Sequence, residues 1–184
     1  MRLGITALRT VVGGIFFAHG AQKLFGWFGG PGPDGTAKGF EAMGLKPGKR
    51  NALIAGTSEA AGGTMLATGF LTPLGSAAVI GVMTQAIRSV HRTKGFFVTQ
   101  GGFEYTGILG LSGAALALGG PGHYSLDRLL GDRFNQRWMA VAALAVFGSA
   151  SAAIIARRAK ALESSASTSD DQVAEGEEAE ATGA

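Results

Sequence analysis

Five apolar segments, each close to the length of a bilayer crossing, constrain what this 184-residue chain can fold into. A helix needs about 17–25 mostly apolar residues to cross the hydrocarbon layer. The segments run from Leu3 to Phe25, Ala52 to Leu71, Pro73 to Arg92, Phe103 to Gly119 and Trp138 to Ala156. They are apolar all round rather than striped, which disfavours surface amphipathic helices. Charged residues are 16% of the chain, against about 25% in ordinary soluble proteins. Gly13, Gly14, Gly62, Gly63, Gly107, Gly110 and Gly113 offer places where helix backbones can approach closely. Buried helices of a soluble protein would need more polar surface than the connections supply. The expected class is therefore all-α: a polytopic transmembrane four-helix bundle core, a fifth transmembrane helix and a disordered acidic C-terminal tail.

The connections differ in character. Residues 26–50 read as a Gly/Pro-rich loop, and residues 72–73 as a bare turn joining an antiparallel helical hairpin. Residues 93–102 are short and polar, and the stretch Ser125-Leu126-Asp127-Arg128 suggests a short helix at the interface. A secretory leader would also begin with Arg2 ahead of an apolar run. Arg9 inside the run and its continuation through Lys23 argue against cleavage.

Charge divides along the chain. Residues 1–160 hold all 16 Lys and Arg and six acids, a net of +10, whereas residues 161–184 hold the other seven acids, a net of −7. The bases cluster between apolar segments, so they read as lipid-facing loops and not as a nucleic-acid surface. With five crossings, the first and third loops and the tail collect the larger share of bases, which predicts that they are cytoplasmic. The final segment lacks the apolar content to fold and is expected to be disordered. Cysteine is absent, so thiol nucleophiles, disulfides and thiolate metal sites are excluded. Any redox chemistry must come from a bound cofactor or a partner.

Ionisable groups within a membrane segment are costly and usually face the bundle interior or water. At about 1.5 Å per residue, His19 lies about 9 Å below the end of its segment, Glu59 about 11 Å and Gln85 about 10 Å, all measured from the first-loop side. Lys23, Arg88, His91 and Glu104 lie shallower on that side, and His19, Gln22 and Lys23 share one helix face. Arg9 falls about 24 Å away, near the opposite interface. Polar groups from four helices are thus expected to converge in one half of the membrane. A mid-span carboxylate such as Glu59 must be paired or protonated. A structural bridge to His19 or Lys23 and a proton-handling or ligand-binding role both meet that need. The His spacing matches no metal motif, so no metal site is expected. Phe25, Trp27 and Phe28 read as an interfacial aromatic belt.

The ordered stretches "FFAHGAQKLFGWFGGPG" (16–32), "AGTSEAAGG" (55–63), "GFFVTQGGFEY" (95–105) and "GPGHYSLDRLLG" (120–131) resemble the DoxX family of small bacterial integral membrane proteins, of the DoxD-like superfamily. The resemblance implies a four-helix membrane domain over residues 1–131, followed here by an additional helix with a basic flank (132–160) and the acidic tail (161–184). It carries the family pattern to Arg9, His19, Gln22, Lys23, Glu59, Glu104 and the Tyr124–Asp127 stretch. It also implies a multi-pass protein of the bacterial plasma membrane. Some relatives are membrane subunits of quinone-linked sulfur oxidoreductases, such as thiosulfate:quinone oxidoreductase, and others are linked to oxidative or thiol stress.

The function expected is a membrane subunit or anchor of a redox-linked complex, not a stand-alone enzyme. His19, Gln22, Lys23, Glu59, Gln85, Arg88, His91 and Glu104 are the candidate ligand or proton-relay residues. The expected ligand is a non-covalent quinone, and the expected partners are the bilayer and an oxidoreductase. A small transporter with the same residues lining a vestibule is the rival, and a purely structural membrane partner is the third reading.

Overall fold

The computed structural model describes residues 2–182, with side chains placed from 3 to 167. Every regular element among the described residues is helical. Helix α1 (Arg2–Phe25) contains no proline and stops at Gly26, whose φ of 70° leaves the helical region. Helix α2 (Gly32–Ala42) starts with Pro33 and Asp34 in its first turn. Helix α3 (Gly48–Thr68) ends at Gly69, which adopts φ 68° and donates its N–H to the Leu66 carbonyl. Helix α4 (Thr72–Ala86) begins with Pro73 and runs into a wider π-helical turn, Ile87–His91. Helices α5 (Glu104–Gly119), α6 (Leu126–Leu129) and α7 (Arg137–Thr182) complete the chain.

Helices α1, α3, α4 and α5 form a ring of neighbours, and α7 packs against α4 from outside. Their shared core is thin: Val12, Phe16, Leu66, Val79, Met83, Leu109 and Leu116. Most of the remaining interior is made of small residues. A Cβ added at Gly20 would overlap the Ala60 backbone nitrogen, and one at Gly63 would overlap that of Phe17. Gly13 meets Ala67 in the same way, so α1 and α3 touch backbone to backbone. Of the glycines expected at contacts, Gly13, Gly62, Gly63 and Gly113 serve that role. Gly14 faces open space, and Gly107 and Gly110 have only ordinary contacts. Gly20→Leu is expected to destabilise the fold by about 1–3 kcal/mol or more through overpacking. Gly14→Leu should leave thermal unfolding in detergent unchanged. Equal midpoints for the two variants would contradict the close α1–α3 contact.

The surface is apolar where the interior is polar. Val11, Ile108, Leu111, Leu118, Val141 and Val146 are exposed, while Arg9, Glu59 and Asp127 are buried. That inversion suits a hydrocarbon surrounding, which solvates large aliphatic side chains and rejects charge. By length and composition alone, two described helices suffice to cross a membrane: Leu3–Phe25 and Arg137–Ser167. The other three long helices are shorter or carry more polar groups. Helix α5 has 16 residues and the regular part of α4 has 15.

Two expectations change. The 26–50 segment is not an irregular loop throughout, because α2 forms within it. Pro33 and Asp34 favour a helix start, and docking on α3 secures the rest: Gly48 N–H donates to Glu41 at 3.0 Å, and a Cβ on Gly48 would overlap the Ala37 carbonyl. Here glycine serves close packing, not loop flexibility. The acidic segment through Thr182 continues α7 as helix, in place of the disordered tail expected. Its Ala and Glu are strong helix formers and no proline interrupts it. Side chains from residue 168 onward are outside the described set.

A polar knot closes the end of the bundle opposite the first loop. Arg9 donates to the carbonyls of Leu66 (2.6 Å), Ala67 (2.8 Å) and Tyr124 (2.7 Å). Asp127 accepts the N–H groups of Leu71 (2.9 Å) and Thr72 (3.0 Å) at the start of α4. The expected position of Arg9, far from the His19 layer, is the one found.

Candidate functional site: a polar-floored cavity between four helices

The first-loop end of the bundle encloses a cavity of about 340 Å³. Its polar floor comes from α1 and α3. Lys23 and His19 lie one turn apart on α1, so they share a face. Glu59 projects from the middle of α3, where the small residues around it keep the two helices close. The Lys23 ammonium meets the Glu59 carboxylate at 2.6 Å, with the side chains 21% and 5% exposed. The Lys23 ammonium also reaches the His19 carbonyl at 3.4 Å. His19 Nε2 lies 3.3 Å from the Tyr105 hydroxyl of α5. The walls are apolar, chiefly Phe16, Val82, Met83 and Leu109. Phe40 of α2 and the following Met43 and Leu45 cover the mouth.

The π-helical turn contributes to the far wall. Ser89, Val90 and His91 all line the cavity along with Gln85. Successive residues in a wider turn diverge less than in an α-helix, which lets neighbours share one wall, and such turns recur at functional sites. His91 Nδ1 is 2.6 Å from the Gly101 carbonyl, which ties this turn to the 98–101 loop.

Five of the eight candidate residues meet here: His19, Lys23, Glu59, Gln85 and His91. The other three are not among its lining residues, although Gln22 hydrogen-bonds the His19 side chain from beside it. The Gln22 amide reaches the Phe28 carbonyl at 3.5 Å, and Glu104 accepts the Val98 N–H at 3.0 Å. Arg88 borders a separate groove between α4 and α7. Of the two bridges open to Glu59, the one formed is to Lys23. Tyr105 was not singled out from the sequence, although it follows Glu104 directly in the "GFEY" stretch. The apolar lid from α2 carried no sequence signal, because it depends on a helix held by tertiary contact. Among the described residues no group of three or more His, Cys, Asp and Glu could hold a metal ion.

The DoxX family model matches residues 4–92, from α1 through the π-helical turn. Over that segment the chain belongs to the DoxX family. No curated protein and no solved structure matches the chain. The DoxX match contains His19, Lys23, Glu59, Gln85 and His91, so every cavity residue expected from the sequence lies within it. Tyr105 and Asp127 lie beyond it, on α5 and α6. DoxX membership and the apolar exterior identify an integral membrane protein in contact with lipid.

The cavity's chemistry is specific in kind. One ammonium and one carboxylate neutralise each other, and a phenol and an imidazole add a donor and an acceptor beside them. An uncharged molecule with hydrogen-bonding groups matches this set better than an ion does. An added ion would leave a net charge within a low-dielectric wall.

Proposed function

We propose that this DoxX protein is a membrane subunit or anchor of a redox-linked complex and that its cavity holds the ring of a quinone. Five helices, α1, α3, α4, α5 and α7, cross the bacterial plasma membrane in this reading, with the first-loop end cytoplasmic. The observation that carries it is the pairing of a polar floor with apolar walls in a space of about 340 Å³. Binding sites of this type combine apolar lining with a few placed polar groups. A quinone supplies reversible carriage of two electrons and two protons. Lys23 and the His19–Tyr105 pair would each offer a hydrogen bond to a ring oxygen. Glu59 holds the Lys23 ammonium in place and stands within one hydrogen bond of a transferable proton. Gln85 and His91 line the opposite wall, and Phe40 of α2 adds apolar surface.

The test is purification with native lipids and partners retained, followed by mass spectrometry of the extract. The expected result is a co-purifying quinone, together with an oxidoreductase partner. Occupancy should fall about tenfold in His19→Ala and Glu59→Gln, the loss of roughly one hydrogen bond to a charged or buried group. Partner-free protein whose binding of added quinone is unchanged in both variants would overturn the reading. Solute flux through proteoliposomes without bound quinone would favour a transport vestibule instead.

A further inference from the structure

A second, smaller cleft lies at the same end of the bundle, between the start of α3 and the middle of α7. It has a volume of about 50 Å³, and Lys46, Arg50, Arg157 and Arg158 line it with Asn51 and Ile154. No acid lines it. Among the described residues the ion pairs are Lys23–Glu59 and Arg128–Asp132, so none of the four bases is neutralised. Four cations around one cleft repel each other unless an anion sits between them.

The backbone is arranged to accept one. The Asn51 amide donates to the carbonyls of Leu45 and Pro47, both at 3.1 Å, which occupies oxygens that would otherwise repel an anion. Arg158 Nε donates to the Met43 carbonyl at 2.9 Å, which fixes the side chain and leaves its two terminal nitrogens for a ligand. A cleft of this size takes one phosphate group and no more. Next to it, the surface turns apolar. Leu53 and Ile54 are exposed one turn beyond Arg50 on α3, on the face that i, i+3 and i, i+4 spacing gives.

The geometry points to a binding site for the phosphate headgroup of an anionic phospholipid, with its acyl chains lying along Leu53 and Ile54. Basic pockets between membrane helices recognise lipid phosphates in this manner. The site rests on the membrane-spanning reading of α3 and α7, and not on what fills the His19–Glu59 cavity. The apolar strip below the cleft selects a lipid over a free phosphate or an acidic peptide.

The test is native mass spectrometry of the full chain in detergent with phosphatidylglycerol or phosphatidylcholine added, alongside inorganic phosphate as competitor. Phosphatidylglycerol should be retained selectively, and Lys46→Gln/Arg157→Gln should weaken that retention about tenfold or more. Arg133→Gln/Arg137→Gln removes two bases from the opposite end and should leave it unchanged. Helicity and quinone occupancy in the first double variant should match the parent, which separates this site from the cavity. Equal retention of both lipids, or equal loss in both double variants, would overturn the assignment. So would full displacement by inorganic phosphate at equal concentration. Selectivity that emerges only after residues 165–184 are removed would make the acidic segment the occupant and overturn the lipid.

Discussion

Arg9→Met is expected to destabilise the protein by about 3–5 kcal/mol, the usual cost of removing one partner from a buried charged cluster. Arg9 is 2% exposed, and its guanidinium satisfies two carbonyls in the last turn of α3 and one in the chain leading to α6. The last carbonyls of a helix have no partner within it and carry the negative end of its dipole, so a cation there gains twice. Asp127, fully buried, does the complementary work at the start of α4, where free N–H groups present the positive end. Removing Arg9 takes the side-chain donor from the Ala67 and Tyr124 carbonyls, leaves Leu66 with only the Gly69 N–H, and leaves Asp127 without a nearby cation. Gly69 leaves room for the knot as well as taking a left-handed φ of 68°: a Cβ there would sit 2.5 Å from the Ser125 Cβ and 2.7 Å from the Arg9 Nη1. Arg9→Lys should recover only part of the loss, because one ammonium cannot reproduce the planar fork that reaches both α3 and Tyr124. Thermal unfolding in detergent is the measurement. An unchanged midpoint for Arg9→Met would show that the knot contributes nothing to holding the α3–α4 turn.

The long helices were legible in the sequence because length and apolarity are local properties. The axial depths of His19, Glu59 and Gln85 were legible too, since rise per residue converts position into height. Direction around the helix was not. Arg88 and Glu104 have the right depth, yet Arg88 faces the α7 groove and Glu104 binds the Val98 N–H. An apolar helix with no clear stripe gives no internal reference for rotation, so nothing in α4 distinguishes the face of Gln85 from that of Arg88. Tyr105 and the α2 lid share a second cause. Both become part of the cavity only through packing of elements distant in sequence. The charged ends of the knot were half legible: Arg9 stood out as a base within an apolar run and Asp127 fell in the expected short helix, but its bonds to the Leu71 and Thr72 N–H groups depend on that helix folding back onto the α3–α4 turn.

Lys23→Met is the second variant with a large expected effect, about 3 kcal/mol and up to 5, because it strands the buried Glu59 carboxylate. The lower end applies if water reaches the site through the 21% of Lys23 that is exposed. The more informative protein is the double variant Lys23→Met/Glu59→Leu. Apolar pairs of similar volume commonly replace buried ion pairs at no net loss, or with a gain. The double variant should therefore unfold at or above the parent midpoint, even though the single one does not. If the pair served only to lock α1 against α3, a stable double variant would replace it in full. A pair that also holds the polar edge of a ring cannot be replaced this way. The cavity of the double variant would keep its shape while losing the ammonium and the carboxylate that face the ligand. Stability and quinone occupancy are thus expected to part company: both fall in Lys23→Met, and only occupancy falls in the double variant. Parent-level occupancy in a stable double variant would remove the ligand role from Lys23 and Glu59 and leave them as a helix lock.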